Sequence, residues 1–299
     1  MAVREDVMGL SHIAASKTGR VQVTRTAKLF LGDWRRPESG RIQRVGDLVV
    51  PVASRKDARD AVRIARTALG AWSATTPYLR GQILYRFAEM LEARTSSLAL
   101  ELVAADRAVG HQLTLAEAET LVGAAVDRVV HYSGWSDKLG HLTGSVNSVS
   151  APFLSVTAPT PGGVVVTIPK ATTPASALAG LIEAVCAPLA AGCTIVAVLP
   201  LAAFAALVSV TEALATSDLP AGTVSVLTYL DAEVPTTLAA HTDVDCFDAE
   251  GLDEGLTTRC LELAAEALTR VRHAGSNPAS TARLRWSTEA RTVWLPVAL

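Results

Sequence analysis

The stretch Val164-Val-Val-Thr-Ile168, followed by Ala175–Leu189 and then by Thr194-Ile-Val-Ala-Val-Leu199, decides the fold class of this chain. The two short runs are rich in β-branched residues, as buried strands are, whereas the Ala- and Leu-rich segment between them has the length of a helix. Because a strand–helix–strand order joins parallel strands, it predicts a parallel sheet. The same alternation continues through a helix at Ala203–Ala215, strands at Val224–Leu227 and Val244–Phe247, and a final helix at Asp253–Val271. We therefore expect an α/β fold with a doubly wound parallel sheet.

Several helices are predicted ahead of this alternation. Ser54 and Asp57 have the spacing of a capping box, and Thr76-Pro77 combines an N-cap residue with proline at the first helical position. Two further helices are expected near Ser97–Ala108 and Thr114–His131. The stretch Gly144–Thr160 is rich in Ser, Val and Thr and predicts two extended strands.

Composition excludes several classes of function. The 299 residues are 49% hydrophobic and 19% charged, which is typical of a folded chain with a sizeable core and not of a disordered one. Lys and Arg number 27 against 29 Asp and Glu, so the net charge of -2 leaves no basic stripe for nucleic acid. No apolar run approaches the ~20 residues of a membrane span, and the start, Met1-Ala-Val-Arg-Glu-Asp6, has no apolar signal core. We expect a cytoplasmic protein with reduced, buried cysteines, which are Cys186, Cys193, Cys246 and Cys260.

Several motifs, taken in order, carry a resemblance to a known family. They are Pro161-Gly-Gly-Val-Val165, Leu189-Ala-Ala-Gly-Cys-Thr-Ile-Val196, Asp218-Leu-Pro-Ala-Gly-Thr-Val-Ser-Val-Leu227, His241-Thr-Asp-Val-Asp245 and Arg291-Thr-Val-Trp-Leu-Pro296. Over most of its length the chain resembles the aldehyde dehydrogenase superfamily, and it is most similar to the degenerate branch found as the silent half of double-length members. The resemblance implies a Rossmann-like doubly wound sheet with N-terminal helices and a small β oligomerisation element.

The resemblance also implies how the chain is divided. Residues 1–20 are expected to be a mobile arm, and residues 21–271 a nucleotide-binding domain that includes oligomerisation strands at 142–160. Residues 272–282 would be a linker that replaces the family's catalytic lobe, a block of roughly 150–200 residues. Residues 283–299 would be a C-terminal oligomerisation strand. A terminal strand kept behind so short a linker predicts an internal deletion.

The family's chemistry requires a cysteine nucleophile and an asparagine that stabilises the oxyanion, and the chain departs from both patterns. The nucleophile belongs to the missing lobe. Cys260 is the nearest by position, but it lies in an apolar helical pattern and is expected to pack. Ala171 stands near the asparagine position and offers no side-chain donor. Lys170 and Thr172 are conceivable replacements, although a solvent-facing strand end explains both more simply.

The remaining two requirements are a lysine on the adenine ribose and a glutamate base. Leu199-Pro200 stands where the family has Lys-Pro, and leucine donates no hydrogen bond. Glu262-Leu-Ala-Ala resembles the family's Glu-Leu-Gly-Gly but lies within a helix and lacks both glycines, which indicates coincidence.

The loop that faces the cofactor pyrophosphate in this family is acidic in the present chain. Gly251 and Gly255 keep part of a glycine spacing, which is a weak signal of phosphate binding. Four carboxylates surround them, and each close pair with a phosphate would cost on the order of 1 kcal/mol even in water. We expect these acids to stabilise the N-terminus of the following helix instead. They are Asp248, Glu250, Asp253 and Glu254.

These departures predict no catalytic residue, no cofactor-binding residue, no metal site and no bound NAD. Our first hypothesis is a catalytically inactive homologue that acts as a structural or regulatory subunit, in a homo-oligomer or with a full-length aldehyde dehydrogenase. The alternative is an NAD(P)-dependent aldehyde dehydrogenase component whose active site is completed by a partner subunit. A third hypothesis is a module that binds another small molecule at the strand ends. No nucleic-acid or membrane partner is expected.

Overall fold

The computed structural model describes residues 13–15, 21–23, 28–38, 40–46, 48–150, 152–273 and 281–297, the first two segments by their backbone alone. Strands β1 (Ile13–Ala15) and β2 (Val21–Val23) pair antiparallel. The arm expected at residues 1–20 otherwise lies outside the described residues, as does most of the linker expected at 272–282.

The N-terminal half is a layer of helices between two sets of strands. Its elements are β3 (Leu29–Leu31), β4 (Trp34–Arg35), β5 (Ile42–Val45), β6 (Leu48–Pro51), α1 (Arg55–Ala74), α2 (Pro77–Glu92), α3 (Thr95–Ala108), α4 (Leu115–Trp135), α5 (Leu139–Thr143), β7 (Ser145–Asn147) and β8 (Phe153–Pro161). The side chain of Ser54 accepts from the backbone of Asp57 and closes the predicted capping box at α1. Thr76 caps α2 ahead of Pro77, also as predicted. A second capping box, Thr114 with Glu117, begins α4.

The C-terminal half alternates strands and helices. Its elements are β9 (Val164–Thr167), α6 (Pro174–Ala191), β10 (Thr194–Pro200), α7 (Leu201–Ala205), α8 (Val208–Ala215), β11 (Val224–Tyr229), α9 (Glu233–Ala239), β12 (Cys246–Asp248), α10 (Glu254–Glu266), β13 (Arg270–Arg272), α11 (Ala282–Trp286) and β14 (Thr288–Pro296). Seven strands form one sheet in the order β13-β12-β9-β10-β11-β3-β4. The first five are parallel, β3 pairs antiparallel with β11, and β4 pairs antiparallel with β3 at the edge. The predicted α/β class with a doubly wound sheet is confirmed.

Side chains on β10 show how both faces of the sheet are covered. Ile195, Ala197 and Leu199 point into one buried cluster, which is built with α2, α3, α4 and α6. Val196 and Val198 point into a second cluster, which is built with α1, α9 and α10. Because neighbouring residues of a strand face opposite sides, the continuous apolar run follows from burial of both faces.

Three predicted boundaries were wrong. The helix expected at Ala203–Ala215 is two helices, α7 and α8. The helix expected to reach Val271 ends at Glu266, because Leu268 adopts a left-handed conformation (φ 56°) and the chain then enters β13 beside β12. The closing strand begins at Thr288, and the residues from Ala282 to Trp286 form α11. In the last two cases a tertiary contact overrides the local pattern.

Helix α6 is the single described helix with the length and apolar composition to cross a membrane. Seventy-two per cent of it is buried inside the fold. It packs against α2, α3 and α4 as well as β10, so its apolar composition is explained by its place in the core.

A separate three-stranded sheet carries the C-terminus, and we call it the sheet arm. Its strand order is β14-β8-β7, and both pairings are antiparallel. The nine residues of β14 all have partners in β8, from Thr288 opposite Pro161 to Pro296 opposite Phe153. The two strands predicted within Gly144–Thr160 are thus joined by the predicted C-terminal strand.

Candidate site at the switch point of the sheet

The order of the strands places one crevice at which ligands of such sheets bind. From β9 the chain passes to β10 and β11 on one side, then returns to β12 and β13 on the other side of β9. The direction of winding therefore reverses between β9 and β12. In doubly wound sheets, ligands bind outside the carboxyl ends of the strands at this switch point. Here the residues after β9 and β12 meet at that edge, so a ligand site of this kind would lie there.

Four charged residues lie at this edge, two of them buried and two partly buried, and we call them the charge cluster. Asp248 ends β12 and Glu250 follows it, Arg272 ends β13, and Arg283 comes from α11. The Nη1 atom of Arg272 donates to the Asp248 carboxylate at 3.0 and 2.8 Å and to Oε2 of Glu250 at 2.9 Å. Arg283 donates through Nη1 to Asp248 and through Nη2 to Glu250. Two cations thus bridge two carboxylates, and the cluster has no net charge.

Burial makes loss of a partner more costly in this cluster than in an ion pair at the surface. Asp248 is fully buried and Arg283 is 4% exposed. Burial is the largest influence on Asp248 and raises the pKa of its carboxyl group, while the guanidinium groups of Arg283 and Arg272 oppose that rise. Charges withdrawn from water are tolerated only when they are paired, so each member depends on the others.

Gly251 closes the crevice next to the charge cluster. Its N–H donates to the carbonyl oxygen of Ile168 at 2.8 Å, which joins the loop after β12 to the end of β9. A Cβ atom at this position would lie 2.2 Å from the carbonyl oxygen of Pro169. Glycine is therefore required by the approach of two backbones. Gly255, in the first turn of α10, has only an ordinary contact with Asp253.

The four acids of the loop expected around a pyrophosphate fall into two pairs with different roles. Asp253 is the N-cap of α10, where its Oδ1 accepts from the Leu256 N–H at 2.9 Å, and Glu254 lies in the first turn. These two acids stabilise the helix N-terminus as predicted. The prediction was wrong for Asp248 and Glu250, which are paired with arginines. The sequence argument counted the acids of one loop and could not see cations that arrive from other elements.

A cavity of about 230 Å³ lies beside the charge cluster, between the end of β9 and the start of α6. Its lining residues are Lys170, Thr172, Ser176, Ala179, Gly180, Glu183, Glu250 and Arg283. The carboxylate of Glu183 accepts from Arg128 Nε at 2.8 Å and from the Tyr132 hydroxyl. Both carboxylates of the lining are therefore already paired with arginine. The hydroxyl groups of Thr172 and Ser176 are 3.2 Å apart, within hydrogen-bonding distance.

Of the other positions that the sequence indicates, Lys170 and Thr172 line this cavity and the rest lie elsewhere. Ala171 is half-buried and packs against the core, whereas Lys170 and Thr172 are exposed and do line the cavity. Leu199 is fully buried in the core cluster on the α6 side of the sheet. Glu262 is an exposed residue of α10 paired with Arg259 at 3.3 Å. Beyond α10, where the family's glutamate is expected, β13 has arginine at both of its ends.

The four cysteines are free and buried, as predicted. Burial is the main cause that raises the pKa of each thiol, to about 12 for Cys193 and about 11 for Cys260. Cys246 also accepts from Nη2 of Arg270 at 3.2 Å. Within the described ranges, no group of three or more His, Cys, Asp and Glu residues is placed to hold a metal ion.

Sequence reasoning missed Arg272 and Arg283 altogether. One signal was available, because an acid that ends a buried strand requires a counter-charge. The pattern could not say which of the 27 Lys and Arg residues supplies it.

The parallel sheet and its switch-point crevice define a Rossmann-like α/β domain of the dinucleotide-binding type. Residues 47–272 match the model of the aldehyde dehydrogenase family. The chain belongs to the aldehyde dehydrogenase family.

Individual relatives agree with this assignment. Putative aldehyde dehydrogenase DhaS of Bacillus subtilis is 28% identical over 229 residues, which are 73% of this chain and 42% of that protein. Aldehyde dehydrogenase family 2 member B4, mitochondrial, of Arabidopsis thaliana is 34% identical over 132 residues, 41% of this chain and 24% of that protein. The chain spans less than half the length of these relatives.

Solved structures give the same result for the fold. A putative aldehyde dehydrogenase from Burkholderia cenocepacia superposes with a TM-score of 0.74 at 25% identity, over 82% of this chain and 51% of that one. Betaine aldehyde dehydrogenase from Staphylococcus aureus, in complex with NAD+, superposes with a TM-score of 0.71 at 19% identity, over 82% and 49% of the two chains. The second likeness concerns the fold alone.

Proposed function

We propose that this chain is a catalytically inactive member of the aldehyde dehydrogenase family that serves as a structural or regulatory subunit in the cytoplasm. The observation that carries the proposal is the charge cluster. Arg283, from the segment that leads into the sheet arm, occupies the switch-point crevice and pairs with Asp248 and Glu250 there. The edge of the sheet that would hold a ligand thus anchors the arm.

The geometry of the crevice argues against dinucleotide binding. Gly251 already donates its N–H to Ile168, and the side chain of Asp253 occupies the N-terminus of α10. The remaining cavity of about 230 Å³ is below the ~300–1,000 Å³ of ordinary ligand pockets. A pyrophosphate in the crevice would also compete with the carboxylates of Asp248 and Glu250 for the same arginines. These residues do not fit the cofactor.

The state of the four cysteines also argues against catalysis by this chain's own thiols. A cysteine nucleophile acts as a thiolate and needs access to its substrate. All four cysteines are buried, and burial raises the pKa of each thiol. None of these four thiols is therefore placed to act as the nucleophile of aldehyde oxidation.

The sheet arm supports a role in assembly. Its apolar side chains are exposed in the single chain, among them Val146 at 73% and Trp294 at 57%. Strand β14 has β8 on one side and no strand on the other among the described residues. Exposed apolar surface and an open strand edge both favour association with another polypeptide. We propose that the partner is a second copy or a full-length aldehyde dehydrogenase.

Titration calorimetry with NAD+ and NADP+, together with native mass spectrometry of the protein purified from its own cell, tests this proposal. We expect no binding heat at millimolar nucleotide and a complex with itself or with an aldehyde dehydrogenase. Micromolar nucleotide affinity, with NADH formed from an aldehyde once a partner is added, would establish the alternative of an enzyme component completed by that partner. A monomer that recovers no dehydrogenase would refute the assembly role.

A further inference from the structure

A groove on the helical layer has the size and the lining of a small-molecule site. It lies between α2 and the end of α4 and encloses about 400 Å³, within the ~300–1,000 Å³ of ordinary ligand pockets. None of its lining residues lines the cavity beside the charge cluster, so the two cavities are separate. A ligand in this groove would therefore be independent of the proposed role in assembly.

The floor of the groove is held by a direct contact between the two helices. Gly81 of α2 is buried, and a Cβ atom there would lie 3.0 Å from the carbonyl oxygen of Ser133 in α4. The Ser133 hydroxyl donates to the carbonyl oxygen of Gly81 at 2.9 Å. Gly134 also lines the groove and has no side chain to fill it. Two glycines thus leave a preformed cleft between helices, which is a common setting for ligand sites.

The wall formed by α2 presents two phenol rings. Tyr78 and Tyr85 are seven residues apart, hence two turns apart on one side of the helix, and both line the groove. Their exposed fractions are 68% and 51%. Between them, Nε2 of Gln82 donates to the Tyr78 hydroxyl at 3.3 Å. Exposed aromatic rings in a concave site favour contact with another ring, because stacked and edge-to-face pairs are stabilising beyond the area they bury.

The other wall carries one charge of each sign. Asp137 and Lys138 follow α4, are exposed and line the groove. The Nζ atom of Lys138 donates to the carbonyl oxygen of Gly134, which leaves two further N–H donors on the ammonium group. Among the residues that the structure describes, the Asp137 carboxylate has no hydrogen-bond or ion-pair partner. The groove therefore offers an acceptor for an ammonium group beside a donor for a carboxylate.

We propose that this groove binds a free aromatic α-amino acid. The ammonium group of the ligand pairs with Asp137 and its carboxylate with Lys138, while its ring lies against the tyrosines of α2. A zwitterion suits the site because an amine alone would meet the like charge of Lys138, and an acid alone that of Asp137. A residue inside a polypeptide lacks both charges, so the same pair disfavours a protein segment as the occupant.

The affinity is expected to be modest. The groove is open to water on one side, and ion pairs between exposed groups are screened there. A ligand of this size is therefore expected to bind with a dissociation constant of about 0.1–1 mM.

Ligand-observed NMR titration of the full chain tests the proposal with four matched probes. They are L-phenylalanine, phenethylamine, which lacks the carboxylate, 3-phenylpropionate, which lacks the ammonium group, and N-acetyl-L-phenylalanine amide, which lacks both charges. We expect L-phenylalanine to bind with a dissociation constant below about 1 mM and each of the others to bind at least about fivefold more weakly.

Variants link each charge to its part of the ligand. Asp137→Asn should weaken L-phenylalanine binding about fivefold and spare 3-phenylpropionate, whereas Lys138→Gln should weaken it similarly and spare phenethylamine. Asp127→Asn is the matched control, since Asp127 is an exposed acid of α4 that does not line the groove. Tyr85→Ala should weaken every probe, and Tyr85→Phe, which keeps the ring, should not. Circular dichroism confirms that the variants keep the fold.

Absence of L-phenylalanine binding up to about 10 mM overturns the inference. It is also overturned if a probe that lacks one or both charges binds as tightly, or if Asp127→Asn weakens binding as much as Asp137→Asn. None of these results bears on the proposed subunit role, which is measured separately by native mass spectrometry of the complex.

Discussion

Replacing Arg283 with alanine is the sharpest test of the charge cluster. The change removes one of two cations and leaves two carboxylates, one of them fully buried, with Arg272 alone. The cluster then changes from net neutral to a net charge of about −1 in a site withdrawn from water. Breaking a buried pair in this way costs about 3–5 kcal/mol of unfolding free energy. For a chain of this size, whose unfolding entropy is about 0.6 kcal/mol per kelvin, that corresponds to a fall of about 5–8 °C in Tm.

Chemical denaturation and thermal unfolding of Arg283→Ala measure this loss. Arg285→Ala is the matched control, since Arg285 lies on the same short helix and is exposed. Its cost is expected within about 0.5 kcal/mol. Adding Asp248→Asn to Arg283→Ala removes the excess charge and should restore part of the stability, by about 1–3 kcal/mol in a double-mutant cycle.

Hydrogen exchange reports where the stability is lost. Because Arg283 connects the crevice to the segment that leads into β14, amide exchange of β14 should rise in Arg283→Ala and stay unchanged in Arg285→Ala. If Arg283→Ala costs under about 1 kcal/mol, or no more than the control, the cluster does not hold this segment and the reasoning from burial fails.

Three further outcomes follow from the same structure. Gly251→Ala should destabilise the fold by about 2 kcal/mol or more, since the new Cβ would lie 2.2 Å from the Pro169 carbonyl oxygen. Gly255→Ala is the control and should be neutral or stabilising by up to about 1 kcal/mol. Equal effects of the two changes in thermal unfolding would contradict the packing role of Gly251. The four thiols should resist iodoacetamide at pH 8 in the native protein and react after denaturation, because burial raises the pKa of each; rapid native labelling followed by mass spectrometry would disprove this. Thr114→Ala removes the N-cap of α4 and should lower the unfolding free energy by about 1 kcal/mol, and an unchanged denaturation midpoint would show that the capping box contributes nothing.

Local patterns allowed much of the fold to be predicted. The runs at Val164–Ile168 and Thr194–Leu199 are strands, and the caps at Ser54 and Thr76 begin helices where expected. Each of these signals is complete within a few residues, because hydrophobic period and end-capping depend on near neighbours. Local patterns did not predict β13, because its three residues acquire their conformation from pairing with β12.

The candidate site was predictable only in part. Gly251 was singled out for its spacing, yet its role is a backbone contact with Ile168 and Pro169, far away in sequence. The sequence indicates that Leu199 stands where the family has its ribose lysine, and the structure adds that Leu199 is a core residue. The structural role of each residue depends on which strands and strand ends are adjacent in the folded sheet.

The sequence alone determined the alternation of strands and helices, the family resemblance and the burial of the cysteines, because composition and periodicity are properties of the chain itself. Tertiary structure alone decided which cations pair with Asp248 and Glu250. Their partners are separated from them by 24 and 22 residues at Arg272 and by 35 and 33 residues at Arg283. No local pattern encodes such a pairing, since it exists only once β12, β13 and α11 have been brought to one edge of the sheet. The same contacts join the loop after β12 to α11, which leads into β14.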